Sequence, residues 1–130
     1  LGGADYFESW IPEGWHYDNS EFPADNPTCF RWYERLLEDP AFTARIAERW
    51  AEHRAGALAT VELHADIDAY ASLLEDAAER NFQRWEILGE YVWPNADGWD
   101  ERLSHAQEVD YLKAWISQRT TWMDTAVLEL

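Results

Sequence analysis

Apolar residues recur at intervals of three and four positions along most of the chain from residue 28 to residue 128. This is the spacing of one face of an α-helix. Proline and glycine interrupt the pattern at a few places and divide it into segments. The spacing predicts helices over residues 28–38, 40–55, 61–88 and 105–128. We therefore expect an all-α fold of about four helices.

Residues with short polar side chains mark the predicted starts of these helices. Asp39 is expected to cap the second helix, with Pro40 at its first position, where the missing N–H would have no partner. Thr60 is expected to cap the third. Ser104, followed three residues later by Gln107, predicts a capping box at the start of the last helix.

Two glycines are expected at helix ends, where a left-handed residue closes the last turn. They are Gly56, after the second helix, and Gly89, after the third. The residues expected on the buried stripes of the four helices are Cys29, Trp32, Tyr33 and Leu36; Phe42, Ile46, Trp50 and Ala57; Leu63, Ile67, Tyr70, Leu74, Ala77, Ala78 and Phe82; and Val109, Leu112, Trp115, Ile116, Arg119, Trp122 and Met123.

Residues 1–27 form a different kind of segment, in which prolines and glycines alternate with aromatic residues and no helical period is present. Irregular stretches of this length are uncommon inside a compact domain. We expect an irregular arm that either straps across the helical portion, residues 28–130, or belongs to a larger body. A second irregular stretch, residues 90–103, is expected as a long aromatic loop before the last helix.

Composition excludes several classes of partner and site. The 130 residues are enough for one domain with a core, and they carry a net charge of −16. A field of this sign repels nucleic-acid phosphates and anionic membranes, so neither is expected as a partner. No apolar stretch is long enough to span a bilayer, and no signal pattern is present. The single cysteine, Cys29, can form neither an internal disulfide nor a cysteine-based zinc site.

Lysine and glycine usage argues against a complete nucleotide-binding enzyme. Lys113 is the only lysine, and neither of the glycine motifs that cradle phosphates, GxGxxG or GxxxxGK[ST], occurs. The chain also begins at Leu1 rather than at methionine. We therefore expect a processed or excised piece of a larger protein.

The aromatic loop carries the pattern that by itself suggests ligand binding. Exposed rings of Tyr91, Trp93 and Trp99, with Trp10 and Trp15 of the arm, would be able to stack on sugar faces. The more common role of such large aromatic residues is to cover helix ends and exclude water. Both interpretations stay open at this point.

Other candidate sites are weaker. His64 and Asp68 have the i, i+4 spacing of a two-ligand metal site, and Asp18, Glu21 and Asp25 could supply oxygen ligands for calcium. Solvated polar surface is the simpler interpretation of both sets. Arginine directly precedes tryptophan three times, which favours structural pairs with carboxylates or rings over a phosphate or sugar site; the pairs are Arg31-Trp32, Arg49-Trp50 and Arg84-Trp85.

Several short strings occur in a fixed order along the chain. They are WYERLLEDPAF at 32–42, Arg49-Trp50 with Arg54, RNFQRW at 80–85 with Leu88-Gly89, YVWPN at 91–95, and EVDYLKAW at 108–115 with Arg119 and Trp122. This order resembles the C-terminal part of the CotH kinase family over about residues 28–124. The arm, beginning with Gly3-Ala4-Asp5-Tyr6, resembles the stretch that follows the family's metal-binding Asp motif.

The resemblance implies a spore-coat or secreted protein with an atypical, kinase-like fold that uses ATP and a divalent metal to phosphorylate proteins. The family's nucleotide-binding lysine, catalytic Asp and metal-binding Asp motif belong upstream, and no residue here matches them. We therefore assign no catalytic, cofactor-binding or metal-binding residue, and no cofactor, to this chain. The positions that match the family's strings are expected to be structural: Trp32, Arg35, Asp39, Pro40, Phe42, Arg49, Trp50, Arg80, Asn81, Phe82, Arg84 and Trp85.

Asn81 is unusual among these positions, because asparagine is unfavourable inside a helix. It is expected to hydrogen-bond either the arm or an upstream lobe. The resulting hypothesis is a helical C-terminal segment that supports an upstream catalytic lobe of the same protein and is inactive alone. The alternatives are a carbohydrate-binding module that uses exposed tryptophans to bind a polysaccharide, and a helical domain that binds a protein partner or substrate.

Overall fold

The computed structural model describes residues 10–15 and 32–130. These residues form five α-helices and a short 3₁₀ turn, and no β-strand occurs among them, which confirms the predicted all-α class. The helices are α1 (Trp32–Leu37), α2 (Pro40–Arg54), α3 (Thr60–Leu73), α4 (Glu75–Arg84) and α5 (His105–Ala126), and the 3₁₀ turn is Trp99–Glu101. The predictions for Cys29, for the start of the first helix and for the Asp18, Glu21 and Asp25 cluster lie outside the described residues.

Two predicted helix starts are confirmed. Asp39 caps α2, because its side chain accepts a hydrogen bond from the backbone N–H of Ala41 at 2.9 Å and Pro40 follows at the first helical position. Ser104 caps α5, because its Oγ accepts from the backbone N–H of Gln107 at 3.3 Å. In a standard capping box the Gln107 side chain would accept a hydrogen bond from the backbone N–H of Ser104. Here it accepts from the backbone N–H of Leu103, one residue earlier, at 2.8 Å.

The prediction of one long helix over residues 61–88 is wrong in two respects. First, the helix bends at Leu74, which separates α3 from α4. The bend occupies one residue, because the Leu74 N–H still bonds the Tyr70 carbonyl at 3.0 Å and the Leu74 carbonyl still accepts from Ala78 at 2.7 Å. Apolar spacing does not detect so local a change. Second, the helix ends at Arg84, and Gly89, with a φ of 77°, lies in the turn beyond it.

Two predicted caps are also wrong. Gly56 is not left-handed, since α2 closes through Ala55 in the right-handed region, with φ −76° and ψ −5°. Thr60 is the first residue of α3 rather than its cap, and the cap position is Ala59, which has no side-chain bond to offer. The Thr60 hydroxyl instead accepts a hydrogen bond from Arg54 at 3.3 Å.

Packing is strongest between α3 and α5 and between α1 and α2. The buried side chains among the described residues are small: Ala96, Thr120, Ala126 and Val127. Leu63 and Ile67 are half-buried as expected, but six residues predicted on buried stripes are exposed, namely Tyr33, Ala57, Tyr70, Leu74, Ala77 and Leu112. Tyr70, Leu74 and Ala77 are exposed because none of the described helices covers that side of the α3–α4 segment. None of the described helices is long and apolar enough to cross a membrane.

Candidate functional site

Residues 10–15 form a strap that lies on α5. The Trp115 indole N–H donates a hydrogen bond to the carbonyl of Trp10 at 2.9 Å. The Arg119 guanidinium donates from Nη1 to two strap carbonyls, those of Pro12 at 2.8 Å and Gly14 at 2.7 Å. Charged donors make strong hydrogen bonds to carbonyl oxygens, so the strap is held at both ends and in its middle.

An aromatic contact completes the attachment of the strap. The rings of Trp15 and Trp122 meet edge to face, with centroids 4.9 Å apart and an angle of 64° between planes. The Arg119 guanidinium lies 4.7 Å from the Trp122 ring centroid. Burial lowers the pKa of Arg119, and the nearby Glu13 carboxylate acts in the opposite direction. This arginine is therefore partly desolvated between the strap and an aromatic ring.

A cavity of about 610 Å³ opens beside the strap. The described residues that line it are mainly apolar and come from the strap, α1 and the end of α5: Trp15, Leu37, Trp122, Thr125, Ala126, Glu129 and Leu130. The strap and the C-terminal end of α5 thus lie beside an apolar cavity that none of the described residues fills.

α2 and α5 are joined by an ion pair between Arg54 and Asp124. Arg54 Nε lies 2.9 Å from Asp124 Oδ1, and Nη2 lies 3.1 Å from Oδ2. The Trp50 indole N–H also donates to Asp124 Oδ1, at 2.8 Å. The hydrogen bond from Arg54 is the main reason that the pKa of Asp124 lies below its ordinary value; the bond from Trp50 adds to it, and partial burial opposes it. Arg54 Nη1 further bonds the carbonyl of Leu58.

A smaller cavity of about 300 Å³ lies between α2 and α5, next to this ion pair. Its floor is apolar, and one edge carries Arg45, Arg49 and His53, which are spaced one turn apart on α2. Glu48 pairs with Arg45 and Glu52 pairs with Arg49, so the positive edge is largely neutralised. Its lining is Trp15, Phe42, Arg45, Ile46, Arg49, Trp50, His53, Met123 and Val127.

Arg102 organises the aromatic loop that precedes α5. Its side chain is 11% exposed and donates from Nε to Glu108 at 3.0 Å, from Nη1 to the Asp97 carbonyl at 3.0 Å and from Nη2 to the Ala96 carbonyl at 3.2 Å. Its guanidinium lies 4.2 Å from the ring centroid of Tyr111. Burial raises the pKa of Tyr111, while the charge of Arg102 acts to lower it and the carboxylates of Glu108 and Asp97 act to raise it.

The predicted stacking residues of this loop differ in their exposure. Tyr91 is 49% exposed and Trp93 is 67% exposed, whereas Trp99 is half-buried. The rings of Tyr91 and Trp99 meet at an angle of 60° with centroids 5.9 Å apart. Tyr91 and Trp99 are therefore not coplanar. Trp10 and Trp15, the other two predicted stacking residues, contact α5 instead.

The positions that carry the resemblance are spread over four helices, α1, α2, α4 and α5, and the aromatic loop. Trp32 begins α1, and Arg35 lies 3.6 Å from Glu38 on the same helix. Asp39 caps α2, as described above. On α2, Arg49 forms an ion pair with Glu52, and Trp50 donates a hydrogen bond to Asp124. On α4, Arg80 and Asn81 are exposed. The Arg84 guanidinium lies 4.9 Å from the ring of Trp85, which is 57% exposed.

His64 and Asp68 each have a partner on α5. His64 Nε2 lies 2.9 Å from the Ser117 hydroxyl and 3.1 Å from the Lys113 carbonyl. Asp68 accepts a hydrogen bond from Lys113 Nζ at 2.7 Å. Within the described part of the chain, no three His, Cys, Asp or Glu side chains come close enough together to hold a metal ion.

No pattern in the sequence indicates that Arg102 and Asp124 each bind several other parts of the chain. The partners of Asp124, Trp50 and Arg54, lie 74 and 70 positions away, so no local pattern marks the cluster. Arg102 stands in a segment with no regular period, and its loop contacts are to backbone carbonyls, which leave no signature in the sequence.

Comparison with known proteins gives one family. The model of the family described as CotH kinase protein matches residues 6–123, which include the strap and nearly all of α5. Neither the curated proteins nor the solved structures contain a significant match.

Proposed function

The chain belongs to the CotH kinase protein family, and we propose that it is the helical C-terminal segment of a CotH-like protein kinase. In this proposal the segment supports a catalytic lobe encoded before Leu1 and is inactive alone. The upstream lobe binds ATP and a divalent metal, and the whole protein phosphorylates a protein substrate. We also propose, from the family alone, that the parent is secreted or lies on a spore or cell surface.

The attachment of the strap to α5 is the observation that carries this proposal. Contacts with Trp115, Arg119 and Trp122 hold the strap, residues 10–15, against α5. A lobe connected to this arm would therefore be positioned against α5 rather than tethered loosely. The family match covers the strap and α5 in one span, in keeping with a single structural unit.

The surface beside the strap supports the same proposal. The cavity lined by Trp15, Trp122 and Leu130 offers apolar space beside the strap. Leu128, just beyond α5, is 73% exposed. Apolar surface of this kind gains free energy when a second body covers it. In the proposal that body is the catalytic lobe.

The association of the two parts tests the proposal. The polypeptide encoded before Leu1 is produced separately and titrated with this chain by isothermal calorimetry. We expect specific binding, and we expect binding to weaken about tenfold in Arg119→Ala, because the released strap no longer presents a fixed surface. Arg45→Ala is the matched control, since the ion-pair partner of Arg45 among the described residues is Glu48, on the exposed surface of α2. Absence of any association contradicts a supporting role.

A second candidate function, carbohydrate binding, is favoured by one observation: Trp93 is 67% exposed in the aromatic loop. A ring with this much accessible face can stack on a sugar. Titration of tryptophan fluorescence with soluble glucans and xylans tests it. Loss of the response in Trp93→Ala but not in Trp85→Ala, where Trp85 is 57% exposed, supports the candidate. An unchanged spectrum across the polysaccharides eliminates it.

A further inference from the structure

An apolar ridge lies on the outer surface of the α3–α4 segment. It consists of Tyr70, Leu73 and Leu74, which are 65%, 76% and 51% exposed. Their i, i+3, i+4 spacing places the three side chains next to one another. The bend at Leu74 does not divide the ridge, because the helical hydrogen bonds from Leu74 to Tyr70 and from Ala78 to Leu74 are both kept. Clustered apolar exposure of this kind, unlike a single exposed leucine, indicates an interaction surface.

The helix that carries the ridge and the strap lie on different sides of α5. α3 packs on the face of α5 that carries Lys113 and Ser117. The strap binds the face that carries Trp115 and Arg119. Residues two positions apart on a helix are rotated by about 200°, so these two faces are nearly opposite. The ridge is therefore remote from the strap, where the proposed catalytic lobe would enter, and remains accessible to a separate molecule.

Exposed carboxylates surround the ridge. Asp66 lies one turn before Tyr70, and Asp76 lies one turn after Leu73. Glu62 and Glu75 add further negative charge on the same segment, and none of these four forms an ion pair within the described part of the chain. Asp68 differs from them, since it is engaged by Lys113. The surface thus combines an apolar centre with acidic side chains that have no internal counter-charge.

We propose that this ridge binds a basic amphipathic segment of another protein. Apolar side chains of that segment would cover Tyr70, Leu73 and Leu74, and its lysines or arginines would pair with the surrounding carboxylates. The charge argues against the other occupants of an apolar surface. A second copy would bring a net charge of −16 against −16, and an anionic membrane would be repelled for the same reason.

Model peptides provide the probe. A fluorescent helical peptide of about 18 residues carries leucines at i, i+3, i+4 and i+7 with lysines elsewhere, and a second peptide replaces every lysine with glutamate. We expect the basic peptide to bind the full chain in an anisotropy titration and the acidic peptide not to bind. Raising the salt from about 0.05 M to about 0.5 M should weaken binding about tenfold, because the charges are exposed and readily screened.

Matched variants locate the binding surface. Leu73→Ser is compared with Leu128→Ser, since the two leucines are 76% and 73% exposed. Asp66→Lys is compared with Asp110→Lys, an exposed residue of α5 that changes the net charge equally. We expect Leu73→Ser and Asp66→Lys to weaken binding about tenfold and the two controls to stay within about twofold. All four positions are exposed, and circular dichroism confirms that the variants fold.

Three results would overturn the proposal. The first is failure of the basic peptide to bind, or equal binding of the acidic peptide. The second is that Asp66→Lys and Asp110→Lys weaken binding of the basic peptide equally. That result would mean that the net charge of the protein, rather than the ridge, attracts the peptide. The third is a concentration-dependent dimer in sedimentation that Leu73→Ser abolishes, which would make a second copy the occupant.

Discussion

Arg54 on α2 and Asp124 on α5 form a two-point ion pair, with Nε 2.9 Å from Oδ1 and Nη2 3.1 Å from Oδ2. The Trp50 indole shares Oδ1 at 2.8 Å. The buried side chains of the described part are few and small. This polar cluster is therefore expected to contribute much of the free energy that holds α2 against α5.

Replacing Asp124 with alanine is therefore expected to destabilise the protein by about 2 kcal/mol, since a half-buried guanidinium and an indole N–H lose their acceptor together. Urea unfolding followed by circular dichroism measures the effect. Asp110→Ala is the control, because Asp110 is an exposed residue of the same helix that forms no ion pair with the described residues. Equal stability of the two variants would contradict the role given to Asp124.

The same carboxylate predicts a pH dependence of stability. The pKa of Asp124 is lowered in the folded protein, mainly by the hydrogen bond from Arg54, relative to about 3.9 in an unfolded chain. Its stabilising effect is thus complete above the unfolded pKa and is lost as the pH falls through the lower folded pKa. The difference in free energy of unfolding between the wild type and Asp124→Asn should be constant above about pH 5 and shrink in acid. A difference that grows in acid would contradict this assignment.

Limited proteolysis tests the strap. Glu13 lies inside it, so a protease that cleaves after glutamate reports whether residues 10–15 leave α5. Arg119→Ala removes both bonds from Nη1 to the Pro12 and Gly14 carbonyls. We expect cleavage at Glu13 to become about tenfold faster, because local opening requires less free energy. Arg45→Ala should leave the rate unchanged, and an unchanged rate in Arg119→Ala as well would show that Arg119 does not hold the strap.

Gly89 is a left-handed glycine whose replacement should lower the stability of the protein. Its φ is 77°, and a Cβ placed there would lie 2.6 Å from Leu103 Cδ2. Gly89→Ala is expected to lower the free energy of unfolding by about 1 kcal/mol, mainly from backbone strain, because Leu103 is 64% exposed and its Cδ2 can turn away. Gly56→Ala is the control, because Gly56 is not left-handed and the nearest atom to its Cβ is 4.0 Å away. In a Leu103→Ala background the loss of stability caused by Gly89→Ala should stay nearly the same, because backbone strain rather than the contact with Leu103 sets it.

Features set by neighbouring residues could be predicted from the sequence. The all-α class and the caps at Asp39 and Ser104 depend on spacing and on side chains within one turn, and the structure has them at the expected residues. Gly56 shows the limit of such rules. Its helix closes through right-handed residues, and glycine permits a left-handed conformation without requiring it.

Features set by distant partners could not be predicted. Arg119 has the spacing of a buried helix stripe, yet its function in the fold is to bind the carbonyl of Pro12, 107 positions away. Tyr70 and Leu74 fit a buried stripe equally well but are exposed, because no described element covers that part of α3 and α4. Periodicity identifies which face of a helix is apolar, and it does not identify what covers that face.

Phosphate transfer from labelled ATP in the presence of Mg²⁺ tests the central claim most directly. Three polypeptides are compared on an acidic protein substrate: this chain, the polypeptide encoded upstream of it, and the two joined as encoded. We expect transfer by the joined polypeptide, little or none by the upstream part, and none by this chain. Robust transfer by this chain alone would contradict the account of a supporting segment.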